Sequence, residues 1–172
     1  MLTPKIQDAF NQQINAELFS SYLYLSMSSW LESQGFKGMA HWMRIQVQEE
    51  DIHAMKFIDF VLERDGRVLL KTIEGPKTEW TSPLEIFTEA CEHEAKITGL
   101  INKLVDLSIA QSDHAANTFL QWFVTEQVEE EAMARDVRDK LKLAGDSGAV
   151  LYMIDQELGG RPAPVAAAAK PV

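Results

Sequence analysis

Glu50 and His53 stand three residues apart in the stretch Glu50-Asp51-Ile52-His53, so on a helix they project from one face, one turn apart. A carboxylate and an imidazole so placed can hold a divalent cation between them. Alone, the pair is a weak signal. Its weight comes from Glu17, Glu94 and Glu130, each interrupting an apolar stripe on another predicted helix. The first stripe reads Ile6, Phe10, Ile14, Glu17, Ser21, Tyr24, Leu31, and the second Met43, Gln46, Glu50, His53, Phe57, Phe60. The third reads Phe87, Cys91, Glu94, Ile101, Leu104, and the fourth Leu120, Phe123, Gln127, Glu130, Val137, Leu141. Steps of three and four keep such residues on one helix face. A buried carboxylate is costly unless paired or bound to metal. Four of them converging on one histidine would repel each other, and a cation is the simplest remedy. Oxygen donors with a single imidazole suit iron(II), manganese or zinc. Glu50 is the candidate bridge: one ion would take Glu17, Glu50 and His53, the other Glu50, Glu94 and Glu130. So few protein ligands per ion leave positions open for oxygen or peroxide, which marks a catalytic site rather than a structural one.

Tyr24 lies two turns beyond Glu17 on the same face. It is either a core tyrosine bonded to a carboxylate or a redox or gating group. Gln127, one turn before Glu130, is placed to orient a ligand or a water. Glu49, Glu126 and Glu129 form a candidate flanking site that shares Glu130, although the run Glu129-Glu130-Glu131 also fits a solvated face. His41, His93 and His114 lack comparable partners and read as surface or interhelical residues. Cys91, the one cysteine, reads as a small core residue.

These side chains need long helices to carry them. Thr3 and Pro4 open a helix that runs to about Ser33, with Gln34-Gly35-Phe36 as a short turn. A second helix runs from about Lys37 to Arg64, antiparallel to the first. After Asp65-Gly66, Val68-Leu69-Leu70 is β-like and Glu74-Gly75-Pro76-Lys77 breaks regular structure, so this segment reads as a crossover along the bundle. Ser82-Pro83-Leu84-Glu85 is a capping box that opens a third helix to about Ala110. Gln111-Ser112-Asp113 turns into a fourth, with Asp113 as its cap, which runs to about Leu143. Gly145 ends it, and Asp146-Ser147 are placed to cap a short fifth helix over 148–158. Four helices of about 28–30 residues, roughly 40–45 Å each, with one long crossover and a short fifth helix, predict an all-α four-helix bundle in up-down-down-up order. The domain is expected over residues 1–158. The tail over 159–172, Pro- and Ala-rich from Arg161, is expected to be disordered.

Composition excludes several classes. The net charge of −10 argues against nucleic acid or anionic lipid as partner. No apolar run approaches the roughly 20 residues that span a bilayer, and no signal-peptide core follows Met1, so a cytoplasmic location is expected. One cysteine supplies neither an intramolecular disulfide nor a multi-cysteine metal site.

With these residues in place, the sequence resembles the non-haem bacterial ferritins over nearly all of residues 1–158. The likeness is carried by Asn15-Ala16-Glu17-Leu18-Phe19-Ser20-Ser21-Tyr22-Leu23-Tyr24, by Gln48-Glu49-Glu50-Asp51-Ile52-His53, and by the stretch from Phe119-Leu120-Gln121-Trp122 through Gln127-Val128-Glu129-Glu130-Glu131. Ala144-Gly145-Asp146-Ser147-Gly148 adds to it. The resemblance implies a ferritin-like fold and a homo-oligomeric cage of 24 subunits. It implies an intra-subunit di-iron centre that oxidises Fe(II), with ferric mineral stored inside. It also implies a third iron site at Glu49, Glu126, Glu129 and Glu130, with Tyr24 and Gln127 beside the centre. Bacterioferritins repeat Glu-x-x-His on the fourth helix and place a haem-ligating Met directly after the second-helix glutamate. This chain has Gln127-Val128-Glu129-Glu130 and Asp51 at those places, so no haem is expected. Rubrerythrins add a paired Cys-x-x-Cys module that a single cysteine cannot supply, and the DNA-protecting miniferritins lack a fifth helix. Animal ferritins carry acidic channel residues where this chain has Asn117 and Leu120, which puts an acidic threefold passage in doubt. The leading reading is a ferroxidase and iron store using oxygen or hydrogen peroxide. A di-metal oxidase or peroxidase acting in detoxification and a passive divalent-metal buffer are the alternatives.

Overall fold

Thr3 accepts a hydrogen bond from the Ile6 amide through its hydroxyl at 3.4 Å, and Pro4 takes the first helical position, so helix α1 (Pro4–Ser33) begins where the sequence predicts. The structure is a computed structural model describing residues 2–164. The remaining helices are α2 (Lys37–Glu63), α3 (Pro83–Ala110), α4 (His114–Ala144) and α5 (Gly148–Leu158). Gly35 permits the tight α1–α2 turn because it adopts a φ of 86°, a conformation that side chains with a Cβ resist. Ser82 caps α3 through the Glu85 amide at 3.1 Å. The return arm of the capping box is displaced by one residue: the Glu85 carboxylate accepts from the Thr81 amide at 2.7 Å. Asp113 caps α4 through Ala116 and also receives both Arg64 Nη groups at 3.1 Å, which fastens the end of α2 to the start of α4.

α1 and α2 form one antiparallel hairpin and α3 and α4 another, joined by the crossover between Glu63 and Pro83. The expectation of β-like structure at Val68-Leu69-Leu70 is corrected, since the described residues contain no strand. Side chains of α1 take up the backbone groups that a strand would pair. Gln7 Oε1 accepts from the Arg67 amide at 2.8 Å, Asn11 Oδ1 from the Leu69 amide at 2.6 Å, and Asn11 Nδ2 donates to the Arg67 carbonyl at 3.0 Å.

The core consists of two apolar clusters. One, near the α1–α2 turn, holds Tyr24, Met27, Leu31, Met43, Phe87 and Leu141. The other, at the opposite end, holds Ile6, Phe10, Phe57, Ile101, Leu120 and Phe123. The Phe57 and Phe123 rings lie 4.3 Å apart there, and Phe60 stacks on Phe119 at 4.1 Å.

Ser147 takes the N-cap position of α5 but makes no side-chain cap bond, which corrects the expectation of a side-chain cap there. α5 packs across the first turn of α2. The Met39 amide donates to the Asp155 carboxylate at 2.9 Å, which satisfies one of the free N–H groups at the start of α2. Gly38 permits this approach, because a Cβ there would lie 1.6 Å from the Asp155 carbonyl oxygen. Of the tail expected to be disordered, residues 159–164 are described, and Arg161 is docked against α2. Residues 165–172 lie outside the described residues. No described helix is long and apolar enough to cross a membrane.

Candidate metal centre

Between the two apolar clusters, each long helix contributes polar side chains at one level: Glu17 from α1, Glu50 and His53 from α2, Glu94 from α3, and Gln127 and Glu130 from α4. All six are buried. Among the described residues, two groups bring three donor atoms within 4.8 Å of one another. They are Glu17, Glu50 and His53, and Glu50, Glu94 and Glu130, so Glu50 is common to both. His53 Nδ1 lies 3.4 Å from a Glu50 oxygen and its Nε2 lies 3.7 Å from a Glu130 oxygen.

Four carboxylate oxygens in this layer have no hydrogen-bond partner among the described residues: Glu17 Oε2, both oxygens of Glu50, and Glu130 Oε2. Orphaned buried acceptors are rare because each carries a desolvation penalty of about 1–3 kcal/mol. Here they coincide with the donor groups, which is the arrangement a bound cation would satisfy. The donor set is four carboxylates and one imidazole, a combination suited to Fe(II), Mn(II) or Zn(II).

Burial sets the protonation of this layer. It pushes Glu17 up to about 7, against the hydrogen bond from Gln13. It raises Glu50 and Glu130 well above the usual carboxylate range, and the neighbouring carboxylates push both the same way. Glu94 is raised by burial despite the bonds it accepts from Tyr24 and Gln127. His53 is lowered to about 4 by burial and then by Lys56, which leaves the imidazole neutral and free to ligate near neutral pH.

A pH dependence follows. The carboxyls' contribution to stability is fully present below about pH 4.5 and is lost as pH rises through their raised folded-state values, about 7 in the case of Glu17. His53 opposes this with one proton, its contribution being lost as pH falls from 6.5 towards about 4. The four carboxyls outnumber it. The Tm of the metal-free protein should therefore fall as pH rises from about 5 to about 8, and loading with Zn(II) should reverse the trend by displacing protons. Thermal melts with and without metal, at matched ionic strength, check this. A gap between the loaded and metal-free Tm that fails to widen with pH would refute it.

The other residues singled out in the sequence are placed as follows. Tyr24 donates its hydroxyl to Glu94. Gln127 reaches Glu94 rather than Glu130, donating to its Oε2 at 3.2 Å and to its carbonyl at 3.4 Å, with Thr98 Oγ1 also at 3.2 Å. The side chains of α1 and α4 thus fix the α3 carboxylate. Glu49 and Glu126 line a common cavity of about 300 Å³, and Glu129 is exposed. These three do not join Glu130 in a converged donor group. His93 is buried and bonded to Ser20 Oγ at 2.7 Å, bridging α1 and α3. His114 is exposed, and Cys91 is half-buried against the first apolar cluster.

Three participants were not singled out by sequence reasoning. Gln13, one turn before Glu17, donates to its Oε1 at 2.9 Å, and the i,i+4 spacing could have signalled it. Trp122 meets the His53 ring edge-on at 5.5 Å and carries Lys56 over its own face at 4.2 Å. Arg161 pairs with Glu49 at 2.7 Å, and no helical periodicity points to a residue beyond α5.

The family model for the ferritin-like domain matches residues 7–144. A bacterial non-heme ferritin of Bacteroides fragilis is 47% identical over 161 residues, covering 94% of this chain and all of that protein. One from Escherichia coli is 40% identical over 158 residues, covering 92% and 96%. Among solved structures, a closed form of the Archaeoglobus fulgidus ferritin, engineered by site-directed mutagenesis, superposes with a TM-score of 0.94 at 49% identity, covering 95% of this chain and all of that one. An open-pore ferritin from the same archaeon gives 0.93 at 49% identity, covering 94% and 100%. The four-helix bundle with its short fifth helix, the buried carboxylate layer and these matches agree: the chain belongs to the ferritin family.

Proposed function

We propose that this protein oxidises Fe(II) at an intra-subunit di-iron centre and stores the ferric product as mineral inside a homo-oligomeric cage. The observation that carries this reading is the pair of buried donor groups sharing Glu50, with four carboxylate oxygens left without partners. Iron is substrate and cargo here. One ion is held by Glu17, Glu50 and His53, the other by Glu50, Glu94 and Glu130. Each Fe(II) gives up one electron, and oxygen or peroxide takes the pair. The carboxyls release protons as iron binds, because cation and proton compete for the same oxygens. Tyr24 and Gln127 hold Glu94 in position, and the apolar clusters on either side exclude bulk water. Glu49, Glu126, Glu129 and Glu130 offer a third, weaker site beside these two. Asp51 stands where a bacterioferritin carries its haem-ligating Met, and this supports a reaction without haem.

Assembly into a 24-subunit cage is supported by the ferritin relatives and by large apolar side chains left exposed on the single subunit. Leu143 is 89% exposed and Met153 68%, with Leu62, Leu70, Val128 and Tyr152 also uncovered. The net charge of −10 fits a protein that handles cations and not nucleic acid. A cytoplasmic site of action fits the reducing, iron-bearing compartment in which such a store is needed.

The test is stopped-flow oxidation of metal-free protein, preloaded anaerobically with increasing Fe(II) and mixed with oxygen, then with peroxide. A fast phase saturating near two or three irons per subunit is expected, followed by mineral that stays with the protein. His53→Ala should slow the fast phase by about 10- to 100-fold or more without unfolding the bundle. Fast oxidation without retained mineral would favour detoxification over storage. Stoichiometric binding with neither oxidant consumed would leave a passive metal buffer.

A further inference from the structure

Beyond α5 the chain turns at Gly159-Gly160 and sets Arg161 against the outer edge of the metal layer. Its Nη1 donates to Gln46 Oε1 at 2.6 Å and to the Trp42 carbonyl at 3.4 Å. Its Nη2 donates to Glu49 Oε2 at 2.7 Å. The guanidinium lies over the Trp42 ring at 4.5 Å, and the Arg161 carbonyl is bonded to His41 Nε2 at 2.8 Å. Arg161 is thus held by α2 through its charge, its flat face and its backbone. Such a planar fork is well suited to a carboxylate and an aromatic surface together.

The carboxylate it engages belongs to the flanking acidic cluster. Glu49 and Glu126 face the same cavity of about 300 Å³, with His53 and Trp122 on one side and Pro164, three residues after Arg161, on another. Glu130 lies within electrostatic reach of Glu49 and Glu126, and Glu129 of Glu126. Yet among the described residues no third donor group converges there as two do in the layer beside it. One Glu49 oxygen is turned to Arg161, so the cluster already holds a cation, supplied by its own chain.

We propose that Arg161 is the resident cation of this flanking site: its guanidinium occupies Glu49 in competition with a third metal ion, so that the subunit takes two ions tightly and a third only when the tail lifts. The proposal rests on the di-iron reading above. A segment docked 90–99% of the time lowers the apparent affinity of a competing ligand by about 10- to 100-fold. Removing Arg161 therefore strengthens the third site while leaving the first two as they are.

The experiment is an anaerobic titration of the assembled, metal-free, full-length protein with Co(II). Stoichiometry is read by equilibrium dialysis and the ligand set by visible absorption. Wild type should bind two ions tightly and a third about 10- to 100-fold more weakly. Arg161→Ala and Arg161→Gln should bind three tightly, and Arg161→Ala combined with Glu49→Gln should return to two. Equal third-site affinity in wild type and both single variants, whether strong or absent, overturns the proposal and leaves the di-iron reading standing. Fewer than two tight ions in wild type overturns both. Loss of the first two sites in Arg161→Ala would make Arg161 a structural tie and also overturn it.

Discussion

Glu50→Gln should abolish the fast phase of Fe(II) oxidation and at the same time raise the Tm of the metal-free protein. Glu50 is the one residue common to both donor groups, so an amide in its place weakens both ions at once. Losing a neighbour that merely orients a ligand costs about 10- to 100-fold in metal affinity or activity, and losing a bridging ligand should cost at least the upper end of that range. The stability change has the opposite sign. Both Glu50 oxygens are buried without partners, and Glu130, Glu94 and Glu17 all repel its charge. Removing that charge without changing shape relieves a penalty of about 1–3 kcal/mol. At about 2–4 °C per kcal/mol for a chain of this size, the rise is roughly 2–12 °C, and it grows with pH as more of the carboxylate ionises. Stopped-flow kinetics and calorimetry on the same preparation give both numbers. A structural glutamate would show the reverse, with oxidation intact and Tm lowered, and that outcome would remove Glu50 from the centre.

Gly38→Ala should loosen α5 while sparing the chemistry. A methyl group at Gly38 would sit 1.6 Å from the Asp155 carbonyl oxygen and 2.6 Å from its carbonyl carbon, both backbone atoms that cannot rotate away. α5 must therefore move, breaking the bond from the Met39 amide to the Asp155 carboxylate and uncovering Ile154 and Leu158. Alanine is the better intrinsic helix former by about 1 kcal/mol, so propensity alone predicts stabilisation. The clash outweighs it: overpacking costs about 1–3 kcal/mol and lost apolar burial adds to that. We expect a Tm lowered by at least roughly 4 °C, with amides of α5 exchanging far faster than in wild type. The two tight metal sites, more than two helical turns further along α2, should be retained. An unchanged Tm with α5 amides still protected would refute the packing argument.

The helices and the buried layer were legible because both follow from local rules. Thr3-Pro4, Ser82-Pro83 and Asp113 open helices by side-chain caps, and stripes at steps of three and four put Glu17, Glu50, His53, Glu94 and Glu130 on inward faces. Contacts between residues distant in the chain were not legible. That Gln127 supports Glu94 rather than its own-helix neighbour Glu130 depends on how α3 and α4 are offset. Val68-Leu69-Leu70 has strand-forming residues, but Gln7 and Asn11 meet that backbone from 56 to 60 residues away. Arg161 follows the same logic: composition marks its segment as Pro- and Ala-rich, while its binding partners Gln46 and Glu49 lie on α2.

The two apolar clusters, set apart by a level of mutually repelling carboxylates, should make the bundle stiffer at both ends than at its waist. Close-packed hydrocarbon resists opening wherever it occurs, and the middle of each long helix has less of it. If the proposed function holds, the protein should be softest where cations arrive and leave. Their arrival would turn a seam between two blocks into the tie that joins them.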